Sequence, residues 1–195
     1  MVKNRAKKLK EKDTILYVVR HGETKENKRK ILLGKKDVEL SFKGKKEVQK
    51  IAKKINKLKI DLIFSSPLKR ARQTAEIINR YLKKPIKFDQ RLSERGMGIF
   101  EGLPQKELFE KYQKGFNSEM AYKMTPPGGE SSFQVQKRVF SFLNEIKKKY
   151  AGKRILIVTH SFVSKMIIKY FQSKISAKEF FRFQLKTGEL KKFKF

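Results

Sequence analysis

Three short apolar runs constrain this chain more than any other feature: Ile15–Val19, Leu62–Phe64 and Ile155–Val158. Each is rich in β-branched or aromatic residues and lacks the polar alternation of a strand with one wet face. Each therefore reads as a strand covered on both sides. Such strands need helices to cover them, and the sequence supplies these. Val48, Ile51, Ile55 and Leu58 recur at helical spacing, as do Leu68, Ala71, Ala75, Ile78 and Leu82, and again Val135, Val139, Phe142 and Ile146. Strands alternating with amphipathic helices predict an α/β fold, a three-layer α/β/α sandwich with a mostly parallel sheet. The chain's 195 residues suit one such domain with a substantial core. "PPGG", Pro126 to Gly129, is the sharpest break and is expected to close a short helical insertion at about residues 104–127. The final "TGELKKFKF" is read as adding a hairpin strand.

In open α/β sheets, ligands bind beyond the carboxyl ends of the strands. The residues at those ends are Arg20-His21-Gly22, Ser65-Ser66 and Thr159-His160-Ser161. The chain has only two histidines, and both close an apolar strand. Gly22 permits either close backbone approach or a positive φ at the strand exit. Ser66 reads as a helix N-cap and Pro67 as the first helical residue, which puts Arg70 in the first turn. An arginine there opposes the helix dipole unless an anion compensates. Two imidazoles and two guanidinium groups at one sheet edge suit a dianionic phosphoryl group. One imidazole can attack phosphorus while the other donates a hydrogen bond to a nonbridging oxygen, and Arg20 and Arg70 offer rigid forks matching phosphate geometry. A metal site fits poorly: there is no cysteine and no second histidine at i+4.

The net charge of +31 raises the local concentration of anions and can steer phosphorylated ligands or nucleic acid. The basic residues are spread along the chain and mixed with glutamates, which favours a solvated basic surface over a dedicated nucleic-acid stripe. Six of the first twelve residues are Lys or Arg, and residues 1–13 are expected to form a flexible basic tail. That segment lacks the apolar core of a secretory signal, and no run is long enough to span a bilayer. A cytoplasmic protein is expected.

The motifs together resemble the histidine phosphatase superfamily, the phosphoglycerate mutase-like fold. "RHGETKEN" is followed by Gly34, Asp37, Leu40, Ser41 and Gly44, and then by "SSPLKRARQTA", "LSERGMGIFEG", "PPGGES" and "VTHS" in the family's order. The blocks run from about Thr14 to Phe171. The resemblance implies that His21 is the nucleophile that becomes phosphohistidine. Arg20, Arg70 and His160 would bind the phosphoryl oxygens, Asn27 would add a polar contact, and Glu94 would be the proton donor. Glu23, Glu101 and Glu130 also fall in matched blocks but read as a strand-exit contact, a loop turn and a helix N-terminal carboxylate. Ser161 would contribute a backbone or hydroxyl contact, or else cap the next helix.

The implied activity is metal-independent and cofactor-free hydrolysis of a small phosphomonoester. A cofactor-dependent phosphoglycerate mutase is the alternative, and a polyanion- or nucleic-acid-binding protein ranks below both. Specificity is expected to lie in Glu26–Asp37 and Pro104–Pro127.

Overall fold

The computed structural model describes residues 13–107 and 123–195. Most of the expected basic tail and most of the expected insertion lie outside the described residues. The described elements are β1 (Ile15–Arg20), α1 (Lys25–Lys28), α2 (Phe42–Ile55), β2 (Leu62–Ser65), α3 (Lys69–Leu82), β3 (Ile86–Phe88), α4 (Ser132–Lys149), β4 (Arg154–Thr159), α5 (Ser161–Phe171), α6 (Ala177–Arg182) and β5 (Leu190–Lys194). The chain is an α/β protein with a mixed, mostly parallel sheet of order β3-β2-β4-β1-β5.

Alternation along each strand sorts side chains onto the two faces of the sheet. Leu16, Val18, Phe64, Ile155 and Ile157 pack with Val139, Phe142 and Ile146 of α4 and Val163, Met166 and Ile167 of α5. Tyr17, Val19, Ile63, Leu156 and Val158 pack on the other face with Val48, Ala52 and Ile55 of α2 and Ala71, Ala75 and Ile78 of α3. Each fully buried Val, Leu or Ile contributes about 1.5–3 kcal/mol. That burial, more than intrinsic propensity, holds a helix as lysine-rich as α2 in place.

The placement of the helices follows from crossover handedness. The chain steps from β1 to β2 and on to β3 in one direction across the sheet, with α2 and α3 on one face. It then returns from β3 to β4 by way of α4 on the other face. Right-handed parallel crossovers require that reversal. The strands β1 and β4 are parallel neighbours, in register from Ile15 opposite Arg154 to Arg20 opposite Thr159. β1 leads to a helix on one face and β4 to a helix on the other, so the crevice between their carboxyl ends is the topological switch point.

Two elements differ from the sequence reading. β5 is a strand, but it pairs antiparallel with β1, from Ile15 opposite Lys194 to Val19 opposite Leu190, and is not the second arm of a hairpin. β3, "IKF", is short and half solvent-facing, and it extends the sheet beside β2. Three residues carry too little periodicity to announce a strand.

The start of α3 is also corrected. Ser66 is not its N-cap and Pro67 is not its first helical residue: the helix begins at Lys69, with Leu68 in the extended cap position. The first-turn Lys69 N–H is satisfied instead by the Asp37 carboxylate at 2.6 Å, a partner 32 positions upstream. Arg70 still falls in the first turn.

Candidate active site

Because β1 and β4 run in register, their next residues leave the sheet side by side. The His21 N–H extends the ladder to Thr159 O at 2.9 Å, and the His21 and His160 rings lie 5.1 Å apart, centre to centre, tilted by 57°. Both rings are essentially buried. The His21 Nδ1 lies 2.8 Å from Gly22 O. A carbonyl only accepts, so Nδ1 carries the proton and Nε2 keeps its lone pair. His160 Nε2 lies 2.8 Å from Ser66 Oγ.

Gly22 is needed for close approach and not for a positive φ. A Cβ there would lie 2.6 Å from Val48 Cγ2 and 3.0 Å from Gly44 O, and Gly22 is not among the residues with positive φ. Its N–H donates to Thr74 Oγ1 at 3.1 Å, and Thr74 in turn donates to Arg70 O at 2.7 Å. One hydroxyl of α3 thus links the loop after β1 to the backbone of Arg70.

Arg70 is buried, and its Nη1 and Nη2 donate to Lys36 O at 2.6 Å and Gly34 O at 2.8 Å. Arg20 Nη1 donates to Leu185 O at 3.0 Å. These carbonyls fix the planes of both guanidinium groups without neutralising them. Among the described residues, three buried side-chain nitrogens have no hydrogen-bond partner: Arg20 Nε, Arg70 Nε and His160 Nδ1. Orphaned buried N–H groups are costly and uncommon. Three from mutually interacting residues are donors suited to an anion.

The electrostatics agree with that reading. Burial first, then repulsion from Arg70 and Arg20, hold the His21 imidazole well below the usual histidine range, against the opposing pull of Gly22 O. Burial, Arg70, His21, Arg20 and Arg138 do the same to His160. Both rings are neutral near pH 7. Burial also lowers Arg20 and Arg70, opposed by the charge of Glu94. Guanidinium groups remain cationic through such shifts.

Glu94 follows a short 3-10 turn, Gln90–Leu92, which is tied to the end of β4 by Thr159 Oγ1 donating to Leu92 O at 2.8 Å. The Glu94 carboxylate accepts from its neighbour Arg95 N at 3.0 Å and, at 3.4 Å, from Phe162 N in the first turn of α5. The other matched carboxylates have structural partners. Glu23 takes Ser41 and Lys43, Glu101 takes Lys35 N and Met97 N, and Glu130 takes Gly96 N and Arg138.

Asn27 and Ser161 show local backbone roles. The Asn27 side-chain oxygen accepts from Thr24 N at 3.2 Å, closing a capping box on α1, so that oxygen is already engaged. Ser161 is not an N-cap: His160 holds that position and Ser161 is the first residue of α5. Residues the sequence reading missed include Thr74 and Arg138. Arg138 donates to Arg91 O at 2.6 Å and Glu94 O at 3.2 Å while gripping Glu130 at 3.0 Å, so it holds the Glu94 segment from beneath. Both lie mid-helix; Thr74 falls inside the block "SSPLKRARQTA" but only its hydrogen bonds give it a role, and Arg138 lies outside every quoted block. Among the described residues, no group of three or more His, Cys, Asp or Glu is placed to hold a metal ion, and no helix is long and apolar enough to cross a membrane.

An open, mostly parallel sheet with two neutral imidazoles and two guanidinium groups at its switch point defines an α/β protein whose polar cluster suits an oxyanion. The comparisons make the class specific. Residues 16–195 match the family described as Histidine phosphatase superfamily (branch 1), and the chain belongs to it. It is 36% identical to phosphoglycerate mutase-like protein 4 of Arabidopsis thaliana over 169 residues, 84% of this chain and 73% of that one. It is 33% identical to an uncharacterized phosphatase, PhoE, of Bacillus subtilis over 147 residues, 75% of this chain and 72% of the relative. Among solved structures, mycobacterial hydrolase 1 superposes with a TM-score of 0.85 at 23% identity, covering 93% of this chain and 92% of the other, which establishes the shared fold.

Proposed function

We propose that the chain hydrolyses small phosphomonoesters through a phosphohistidine formed on Nε2 of His21. One observation carries this: Gly22 O engages Nδ1 of His21, leaving Nε2 as a bare nucleophile in a cluster where Arg20 Nε, Arg70 Nε and His160 Nδ1 have no protein partner. In the first half-reaction the Nε2 lone pair forms a bond to phosphorus as the P–O bond to the leaving group breaks. Glu94, in its carboxylic acid form, passes its proton to the departing oxygen. In the second, the Glu94 carboxylate takes a proton from water, the oxygen attacks phosphorus, and the N–P bond breaks to release phosphate and neutral His21. One carboxyl group serves both steps because they are mirror images. Arg20, Arg70 and His160 offset charge on the equatorial oxygens. Positioning and charge stabilisation account for most of the acceleration in such transfers.

The decisive experiment uses a radiolabelled phosphomonoester with a rapid alkaline quench. A label on the protein that survives base but not acid, and is absent from folded His21→Ala, is expected. Turnover by His21→Ala at the native rate would eliminate the covalent route.

Kinship to a protein named phosphoglycerate mutase-like supports a second reading, transfer to another hydroxyl of the same substrate. Incubation with 3-phosphoglycerate, with and without bisphosphoglycerate, separates them: 2-phosphoglycerate marks a mutase, free phosphate a phosphatase.

A further inference from the structure

Ser66 has a part in the site that its position at the end of β2 does not suggest. It is fully buried, and its hydroxyl sits between two nitrogens. Leu68 N–H donates to Ser66 Oγ at 3.3 Å, and Oγ lies 2.8 Å from His160 Nε2. A hydroxyl has one proton to give and two lone pairs. The Leu68 amide occupies one lone pair, and among the described residues no other acceptor is in reach of Oγ. The proton therefore points to Nε2, which in a neutral imidazole must then be the bare nitrogen. His160 carries its own proton on Nδ1, the buried nitrogen with no protein partner.

The opposite tautomer fails on two counts. It would leave the Ser66 hydroxyl proton without an acceptor in a dry interior, and it would turn a lone pair toward any bound oxyanion.

We propose that Ser66 is a positioning residue that sets the tautomer of His160 and so makes Nδ1–H a hydrogen-bond donor to the transferring phosphoryl group. The identity of that acceptor rests on the phosphohistidine reading; the tautomer itself does not. The two imidazoles then share one tautomer yet present opposite nitrogens: His21 turns a bare Nε2 to phosphorus, and His160 turns Nδ1–H to oxygen. The carbonyl of Gly22 and the hydroxyl of Ser66 are what make them different.

With only two histidines, protein labelled with 15N-histidine gives two imidazole spin systems, assignable with His21→Gln. At pH 7.5 both rings should show protonated Nδ1 and bare Nε2, and inorganic phosphate should shift the Nδ1 resonance of His160. In Ser66→Ala the His160 tautomer should move toward Nε2–H. Turnover of a phosphomonoester should fall about tenfold, about 1.4 kcal/mol, chiefly in kcat. Ser66→Cys, a similar volume with a weaker donor, should lie between. A wild-type His160 protonated at Nε2 overturns the proposal, and that spectrum decides the matter even if Ser66→Ala does not fold. An unchanged tautomer in Ser66→Ala overturns it too. Absence of the base-stable label beside the expected tautomers would instead sink the phosphohistidine reading and leave the Ser66 assignment standing.

Discussion

Gly22→Ala tests how tightly His21, the proposed nucleophile, is held. The new Cβ would stand 2.6 Å from Val48 Cγ2, 3.0 Å from Gly44 O and 3.3 Å from Leu40 Cδ2. Carbon atoms pack best at about 3.5–4.0 Å, so the Val48 contact is roughly 1 Å too short. Neither neighbour can yield cheaply. Val48 is fully buried, and Gly44 O is backbone. There is no slack between α2 and the loop after β1, because a Cβ on Gly44 would fall 2.1 Å from Glu23 O, which marks backbone-to-backbone packing, and α2 is held on its other side by the core. The strand exit must move instead, taking with it the Gly22 carbonyl that holds His21.

Overpacking of this kind costs about 1–3 kcal/mol. Displacing a nucleophile by about 1 Å costs on the order of 10²-fold in rate. Urea unfolding and steady-state kinetics on p-nitrophenyl phosphate should show both losses. Val48→Ala removes the worst contact, so the double variant should be less destabilised than the sum of the singles, by about 0.5–3 kcal/mol. Native stability and native rate in Gly22→Ala would refute the claim that this contact is rigid.

Acid should destabilise the fold through the two histidines. Their folded pKa values lie below the ordinary 6.5, so the unfolded chain binds more protons in acid. Stability should be fully present above that value and fall as pH drops below it, by at most about 1.4 kcal/mol per pH unit for each ring. Urea midpoints that stay level from pH 7.5 to 5 would contradict this. Arg138→Gln should act on catalysis through Glu94: alkyl phosphates, whose leaving group needs a proton, should slow more than p-nitrophenyl phosphate, the pattern expected of Glu94→Gln. Equal losses on both substrates would mean that Arg138 only supports the fold.

Much of the architecture was legible because burial writes itself into local patterns. Doubly covered strands must be apolar throughout, and the helices that cover them must repeat near 3.6 residues, so β1, β2, β4, α2, α3 and α4 all left a local trace. β3 did not, since three half-exposed residues need no pattern. The pairing of β5 with β1 depends on a contact between opposite ends of the chain, which no local window contains.

At the site the same division holds. Arg20, His21 and His160 at the strand ends and Arg70 in the first turn of α3 could be picked out from residue type and spacing, because an apolar run followed by cationic and donor groups is a local pattern. Their joint use depended on the order β2-β4-β1, which places His21 beside His160. Ser66 shows the limit most clearly. Locally, Ser-Pro before a helical pattern is a cap signal, and the local physics behind it is sound. Only in three dimensions does His160, 94 residues away, offer Nε2 at 2.8 Å, and Asp37 reach the helix N–H that the serine was expected to serve. The sequence by itself determined which segments are buried and which chemical groups stand at their ends. Tertiary structure decided which of those groups face one another, because hydrogen-bond partners and proton positions are set by distances between atoms far apart along the chain.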